Sequence, residues 1–500
     1  MKFIQKMRRS VITGTGCEIP SRVITPEFFL QSEFYDSEGN RHMNKDNPPR
    51  EKTTAEIVAE FQNTAGIIER RYVTEGVITS DLGYEASKKA IEASGVYPDS
   101  IDIIIFAHDF GDNETSGTHL DLVPSIASRI KHGLGIVNPS AVAFDMIGHP
   151  SRLSRIMGAI TSEDSLVLND LKAGSLDKDV ALRAAEEFLW RGDPEALREL
   201  VVIHHPEQTT PSLAEKVKSM LGISNPCTVA YDIVFGCPGW LQGVIQAGQY
   251  IQAGLANTVL VIGAEVLSKV ADPFDRDGQI YADGGGASIV RAVDTTELIG
   301  ILGYGMRSDT RDAEGNDLLY KLWMGPSNQP GFKGDGLYLK MLGNDIYKYA
   351  VGKVPEVMRQ CLEGIGLTPQ DVAKAFLHQA LERMDHDLLS KLMGVKPIVV
   401  REVVGGKTVK RRFVPPEIIN RYMPMTVARL GNSSVATLPT LFDLVLRGDP
   451  DKLLNGGMSN HILNPMDLIM FASVGAGLNI NAVSYRMPKL PIERHYRWAV

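Results

Sequence analysis

The sequence lacks the features that mark secreted, metal-binding and membrane proteins. It has four cysteines in 500 residues, with no CxxC and no paired spacing, so a disulfide framework and a zinc pattern are both excluded. No apolar run reaches the length of about 18 residues that could cross a bilayer. The basic stretch 1–10 is not followed by the apolar core of a signal peptide. We therefore expect a cytoplasmic protein with no metal and no membrane span.

An excess of positive charge is also missing. Lys and Arg number 52 against 60 Asp and Glu, which gives a net charge of −8 and argues against a general nucleic-acid binder. A chain of this length with 44% hydrophobic residues can bury a large core in two or three domains, or in one duplicated domain. Strand-like runs such as 101–107 alternate with helical patterns such as 81–95, which predicts an α/β fold with sheets covered on both faces.

The most informative stretch of the sequence surrounds Cys237. An apolar run at 229–234 predicts a buried strand before it, and residues 241–253 repeat apolar side chains at helical spacing after it. Pro238 suits the first turn of that helix, where a missing N–H costs nothing. The pattern predicts that Cys237 lies at a strand-to-helix turn, where the helix dipole lowers a thiol pKa and favours the thiolate.

An internal repeat precedes this stretch. Residues 124–145 and 211–232 are identical at 12 of 22 positions at a constant offset of 87. Two copies of this length are too few for a solenoid. The preceding runs 103–108 and 200–205 also correspond, but only the second copy continues into Gly-Cys-Pro-Gly. The first copy has Gly148-His149-Pro150 at the matching place.

The segment between the copies and the second half of the chain have different compositions. Residues 150–199 are rich in Leu, Ala, Arg, Asp and Glu and hold two or three helical patterns, which predicts a helical insertion. The second half begins near Thr295, with a strand predicted at 300–307 and a helix at 337–362. Residues 399–414 predict a basic hairpin, either as a solvated surface or as a docking site for an acidic partner.

Five motifs occur in order along the chain and together resemble those of one family. They are Phe235-Gly-Cys-Pro-Gly239, Ala282-Asp-Gly-Gly-Gly-Ala287, His378-Gln-Ala380, Gly431-Asn-Ser-Ser434 and Gly475-Ala-Gly477. The sequence resembles the β-ketoacyl-acyl-carrier-protein synthase III family of the thiolase superfamily over residues 10–110, 210–390 and 425–487. The duplication with its insert and the basic hairpin lie outside this resemblance.

The resemblance implies a thiolase-like five-layer αβαβα fold with two similar halves, usually in a homodimer. The N-terminal half, 1–294, would carry the nucleophile and include the duplicated or inserted segment at about 122–209. The C-terminal half, 295–500, would carry its catalytic partners. Since the architecture needs the repeated unit once, we expect the second copy to fill that position. Residues 124–199 would then pack outside as a helical appendage near the active-site entrance or the dimer edge.

The resemblance also implies a set of catalytic residues. Cys237 would be the nucleophile that holds an acyl group as a thioester. His378 and Asn432 would stabilise the enolate formed when a malonyl group loses CO2. Backbone N–H groups of Cys237 and of Gly475 or Ala476 would bind the oxyanion. No cofactor is implied, because acyl-CoA or acyl-carrier thioesters are the substrates.

Each catalytic candidate also has a structural interpretation. A cysteine in an apolar turn is commonly a small core residue, and a histidine after a buried strand is commonly a hydrogen-bonded core residue. Asn432 could be a helix N-cap. The presence of all five motifs in order favours the catalytic interpretation for Cys237, His378 and Asn432.

The candidate residues for docking the carrier are positively charged. Arg383 matches a family position that helps to dock the carrier, although an ordinary helix-surface arginine fits equally well. Lys410 and Arg411 belong to the basic hairpin and would face an acidic acyl carrier protein.

The sequence departs from the family pattern at three positions. Glu60 and Thr64 stand where the family usually has a Trp and an Arg that bind the adenine end of coenzyme A. Leu381 stands where an Asn usually follows His-Gln-Ala. The departures leave open whether the primer arrives on coenzyme A or on a carrier protein, and whether the product is a specialised lipid or polyketide.

The expected function is a decarboxylating Claisen condensation of an acyl thioester with a malonyl-acyl-carrier-protein. The product would be a 3-oxoacyl thioester in fatty-acid, related lipid or polyketide synthesis. Two alternatives remain open: an acyltransferase or non-decarboxylating condensing enzyme on the same site, and a catalytically silent subunit that binds a carrier.

Overall fold

The structure, a computed structural model, describes most of the chain. The described residues are 6–45, 48–118, 123–133, 137–148, 166–168, 200–205, 212–404, 407–449 and 451–489. None of the helices formed by these residues combines the length and the apolar character that a membrane crossing requires.

The strands and helices alternate along much of the chain. The strands are β1 Met7–Glu18, β2 Arg22–Ile24, β3 Arg70–Tyr72, β4 Ile103–Ala107, β5 Val142–Gly148, β6 Leu166–Leu168, β7 Leu200–His205, β8 Val229–Val234, β9 Thr258–Val266, β10 Asp283–Thr295, β11 Gly300–Ser308, β12 Leu322–Gly325, β13 Tyr338–Met341, β14 Lys374–Leu377, β15 Ile398–Val404, β16 Lys407–Phe413, β17 Leu468–Gly475 and β18 Asn479–Arg486. The α-helices are α1 Thr54–Ala65, α2 Thr79–Ser94, α3 Ile126–Gly133, α4 Leu213–Met220, α5 Gly239–Gln252, α6 Gly343–Glu363, α7 Glu382–Met393, α8 Pro416–Tyr422, α9 Val427–Leu430 and α10 Thr437–Arg447.

Two sheets and three helical layers form the α/β core. The larger sheet has the order β1-β10-β9-β4-β8-β5-β7-β6, and the smaller has the order β11-β18-β17-β14. Helices α5 and α10 pack between the sheets, and α2 and α4 pack on the outer face of the larger one. Helix α6 packs on the outer face of the smaller sheet, with α7 beside it. The arrangement is the five-layer αβαβα architecture of the thiolase fold.

The middle layer accounts for the composition of α5. A helix between two sheets is buried on both sides, so it is apolar around most of its circumference. Each of its two buried glutamines accepts a hydrogen bond: Asn481 donates to Gln242 Oε1 at 2.9 Å, and the Tyr231 hydroxyl donates to Gln246 Oε1 at 2.8 Å. These bonds join α5 to both sheets.

The second copy of the repeat occupies the position beside β4, as expected. Strand β8 pairs in parallel with β4, with Ile103 opposite Val229. The first copy differs from the helical appendage that the sequence suggested. Its described strands extend the larger sheet, with β5 antiparallel to β8 and with β7 and β6 beyond. The physical reason is that β8 would otherwise end the sheet with unpaired backbone groups.

The remaining differences from the sequence-based expectation are local. The helical patterns predicted over 150–199 lie outside the described residues, except for 166–168, which form β6. The helix predicted at 337–362 begins only at Gly343, because the preceding residues form β13 and pair with β12. The predicted basic hairpin is the antiparallel pair β15–β16.

Candidate active site

A direct backbone contact between the two halves forms the floor of the site. Gly236 has a φ of +74°, a left-handed conformation that favours glycine. A Cβ at Gly236 would lie 2.7 Å from the Ala476 nitrogen, and a Cβ at Gly475 would lie 2.6 Å from the Cys237 nitrogen. Because neither glycine has a side chain, the two backbone segments that carry the amide groups of Cys237 and Ala476 can lie in contact, immediately before α5 begins.

One cavity brings the predicted catalytic residues together. It has a volume of 90 Å³. Its lining includes every catalytic and oxyanion candidate from the sequence: Cys237, His378, Asn432, Gly475 and Ala476. The other walls are largely apolar and come from both halves, with Val123 contributed by the segment just before the first repeat copy. The cavity thus combines a thiol, an imidazole and a carboxamide in an apolar environment.

Hydrogen bonds fix the orientation of Asn432. Its backbone N–H donates to Ile280 O at 3.0 Å, and its carbonyl accepts from Ala282 N at 2.8 Å. Its side-chain Oδ1 accepts from the Ser434 N–H at 2.9 Å. Because Oδ1 is engaged in this way, the carboxamide presents its NH2 group as a hydrogen-bond donor.

His378 is a buried, neutral imidazole. It follows β14, and its backbone N–H donates to Ala472 O at 2.9 Å. Its side chain is only 4% exposed, and this burial lowers its pKa to about 4 because the charged form loses its hydration. Its Nδ1 has no hydrogen-bond partner among the described residues. At neutral pH it can act as an uncharged donor or acceptor.

The environment of Cys237 corrects one expectation from the sequence. Burial raises the pKa of the thiol to about 12, and the nearby charges of Asp109 and Glu265 add to the increase. The Ser434 hydroxyl opposes it, because it donates a hydrogen bond to Sγ at 3.3 Å. The prediction that this pKa lies below its ordinary value is therefore wrong, since desolvation outweighs the hydrogen bonds that lower it.

The sequence-based reasoning missed two buried carboxyl groups. Asp109 lines the cavity, and its Oδ1 accepts from Gly236 N at 2.7 Å. Glu265 Oε2 accepts from Asp109 N at 2.7 Å. Burial raises the pKa of Asp109 to about 6 and that of Glu265 well above its ordinary value. The available signal was an acidic residue two positions after the buried run that ends β4.

A wider cavity of 630 Å³ adjoins the catalytic one and shares Ile280, Met341, Gly343, Tyr347 and Leu381 with it. The positions that depart from the family pattern, Glu60 and Thr64, line it, and so does Arg383. Arg383 is exposed at the start of α7. Lys410 and Arg411 belong to β16, and their side chains lie outside the described part of the structure.

Comparisons with known proteins identify the family. The family model described as 3-oxoacyl-[acyl-carrier-protein (ACP)] synthase III matches residues 231–310. The β-ketoacyl-[acyl-carrier-protein] synthase III of Microcystis aeruginosa is 30% identical over 276 residues, which are 55% of this chain and 71% of the relative. The chain belongs to the β-ketoacyl-acyl-carrier-protein synthase III family. The synthase III of Acaryochloris marina is also 30% identical, over 66% of this chain and 82% of its own length.

Solved structures support the same synthase III fold. The crystal structure of the Aquifex aeolicus 3-oxoacyl-[acyl-carrier-protein] synthase III matches with a TM-score of 0.55 and 20% identity over 95% of this chain and 99% of that one. The priming β-ketosynthase of the R1128 polyketide pathway matches with a TM-score of 0.57 and 18% identity over 97% and 98%.

The lowered pKa of His378 predicts a pH dependence of stability. The unfolded imidazole, with an ordinary pKa near 6.5, takes up a proton before the folded one does as the pH falls. The stabilisation by neutral His378 is thus present at neutral pH and is lost as the pH falls from about 6.5 towards 4. Between pH 7 and pH 5, the wild type should lose about 2 kcal/mol more unfolding free energy than His378→Gln. Denaturant unfolding of both proteins at the two pH values measures this, and equal losses would contradict the assignment.

The hydrogen bond to Cys237 predicts a change in thiol reactivity. Ser434→Ala removes a donor that lowers the thiol pKa, so alkylation of Cys237 by iodoacetamide should slow about two- to tenfold, the effect of losing one hydrogen bond of about 0.5–1.5 kcal/mol. The rates are measured by peptide mapping in a Cys227→Ser background, because Cys227 is an exposed thiol. The control is Ser433→Ala, whose hydroxyl contacts Thr437; an equal slowing in the control would reject the specific role of the bond.

Proposed function

We propose that this chain is a condensing enzyme that joins an acyl group to a malonyl unit with loss of CO2. The observation that carries the proposal is the single cavity lined by Cys237, His378 and Asn432. The family membership supports it, since the curated relatives are named β-ketoacyl-[acyl-carrier-protein] synthase III. In this proposal the substrates are thioesters and no cofactor takes part.

In the first step, Sγ of Cys237 attacks the carbonyl carbon of an acyl thioester. The C–S bond to the incoming carrier breaks, and the carrier leaves as a thiol that takes the proton of Cys237. Because burial raises the pKa of Cys237 to about 12, this proton transfer accompanies acylation. The amide groups of Cys237 and Ala476 lie at the backbone contact between the halves and would hold the oxyanion of the tetrahedral intermediate.

In the second step, a malonyl thioester on a carrier loses CO2 and becomes an enolate. The NH2 group of Asn432 and the neutral imidazole of His378 would donate hydrogen bonds to the enolate oxygen. The enolate carbon then attacks the acyl group on Cys237. A carbon–carbon bond forms, the thioester to Cys237 breaks, and a 3-oxoacyl thioester leaves on the carrier. The Cys237 thiolate that is released takes a proton from solvent and returns to the thiol.

The wider cavity gives the proposed route for the substrates. Glu60, Thr64 and Arg383 all line it, and it lacks the Trp and Arg that the family uses for the adenine of coenzyme A. This composition favours a primer delivered by an acyl carrier protein, whose acidic surface Arg383 would contact. Carriers of this kind are recognised by complementary charge.

One observation favours a second candidate function on the same site. Asp109 is a carboxyl group in the cavity, and its pKa of about 6 suits a general base near neutral pH. Such a base could remove a proton from the α-carbon of a second acyl thioester, and the condensation would then proceed without loss of CO2. The two functions differ in whether CO2 is released in step with product.

Alanine variants test the proposed roles. Cys237→Ala should accept no acyl group from an acyl thioester, as measured by intact mass. His378→Ala and Asn432→Ala should still become acylated, but their release of CO2 from malonyl-carrier should fall about 10²–10³-fold, the usual effect of removing one donor to a developing negative charge.

The matched control is His386→Ala. His386 lies on α7 and does not line the cavity, so the rates of this variant should stay near those of the wild type. Condensation at the wild-type rate by His378→Ala or Asn432→Ala would reject the proposed enolate site. Product formation from two acyl thioesters without CO2 would favour the second candidate.

A charge reversal tests carrier docking. Arg383→Glu should raise the KM for an acyl- or malonyl-carrier substrate by about tenfold or more, because a favourable charge contact becomes a repulsive one, and should leave the KM for a small pantetheine thioester unchanged. Lys391→Glu, on the last turn of the same helix, is the control with the same charge change away from the cavity. Equal effects of the two variants would show that α7 does not dock the carrier through Arg383.

A further inference from the structure

The two copies of the repeat meet each other in the larger sheet. Strand β5 of the first copy is antiparallel to β8 of the second, with Met146 opposite Ile233. At the repeat offset of 87, these two residues are equivalent positions. Asp145 lies opposite Val234, and its repeat equivalent Asp232 lies opposite Ile147. The two aspartates therefore flank the central pair on opposite sides. A local two-fold axis thus relates the strands, as it does for identical edges in a symmetric dimer.

The same symmetry extends to the strands on either side of this pair. Strand β4 lies parallel to β8 with Ile103 opposite Val229, and β9 lies on its far side. Strand β7 lies parallel to β5 with Leu200 opposite Val142, and β6 lies on its far side. Val142 and Val229 are equivalent in the repeat. Strands β8, β4 and β9 therefore match strands β5, β7 and β6 in that order. The pair β8–β4 has the same register as the pair β5–β7.

The helices of the two copies are anchored in the same way. The Ala127 N–H donates to Asp145 Oδ1 at 2.8 Å, and the Ala214 N–H donates to Asp232 Oδ1 at 2.8 Å. Helix α3 packs on β5 and β7, as α4 packs on β8 and β4. The first copy is thus a folded equivalent of the second, including its helix.

The first copy is also attached to the C-terminal half of its own chain. Lys131 Nζ donates to Ser308 O at 2.5 Å, and His132 Nδ1 lies 3.2 Å from Thr310 O. Val123, which precedes α3, is 2% exposed and lines the catalytic cavity. The segment that leads into the first copy therefore contributes Val123 to the lining of the cavity.

We propose that the first copy, α3 with β5, β6 and β7, acts as a built-in second subunit. It covers the edge of β8, where another copy of this chain would otherwise pair through the same strands, and the segment that leads into it lines the catalytic cavity at Val123. An open strand edge is a template for pairing with another chain, and β5 already occupies this one. The proposal revises, for this edge, the homodimer implied by the resemblance, and it does not depend on the proposed reaction.

Hydrogen exchange of the wild-type protein tests the proposal. Amide exchange of the peptide that contains 229–234 is measured over a wide dilution series, together with sedimentation of the same samples. Protection should stay constant at every concentration, because the partner strand belongs to the same chain. Protection that rises with protein concentration, in step with dimer formation, would overturn the proposal.

Engineered cysteines provide a second test in a Cys227→Ser background. Directly opposite residues in an antiparallel pair have Cβ atoms about 4.5–5.5 Å apart, so the double variant Met146→Cys, Ile233→Cys should close a disulfide within one chain on oxidation. Ile233→Cys alone should give no covalent dimer. A covalent dimer of the single variant would overturn the proposal, because only a second chain can bring two copies of residue 233 together. Failure of the folded double variant to form the intrachain link would also count against it.

Discussion

The structure depends on the close approach of two backbone segments. Residues 236–237 from the first half touch residues 475–476 from the second, and a Cβ on Gly236 or Gly475 would collide with the opposite amide. This approach sets the position of the Cys237 thiol relative to the donors that the second half carries. Helix α5 leaves the same contact and is buried between the two sheets, so the packing of the halves and the geometry of the cavity are fixed together.

Burial then determines the charge state of each group in the cavity. It keeps His378 neutral and raises the pKa of the Cys237 thiol and of the Asp109 carboxyl group. The imidazole of His378 and the thiol of Cys237 are thereby uncharged at neutral pH, whereas Asp109 still ionises near pH 6. An apolar cavity of this kind stabilises a negative charge only where a donor faces it, so the hydroxyl of Ser434 beside the thiol and the amide of Asn432 gain importance from the apolar lining around them.

Local sequence patterns were sufficient to predict the strands and helices whose apolar spacing is visible in their own residues. The apolar run 229–234 is β8, and the helical spacing at 241–253 corresponds closely to α5. The ordered motifs also predicted the residues that meet in the cavity. The sheet position of the first copy could not be predicted, because strand pairing between distant segments leaves no local signal. Asp109 was missed for a related reason, since its burial depends on Glu265 and Gly236, which are distant in the sequence.

The pairing of β5 with β8 also has a genetic consequence. In a symmetric dimer one codon specifies both sides of an edge, so any substitution appears twice and faces itself across the axis. Here the two sides are encoded separately, and Met146 already faces a different residue, Ile233. A mutation in one copy can be compensated by a mutation in the other. The copy that carries no nucleophile, with Pro150 at the offset position of Cys237, is free to diverge where it contacts neither β8 nor the C-terminal half.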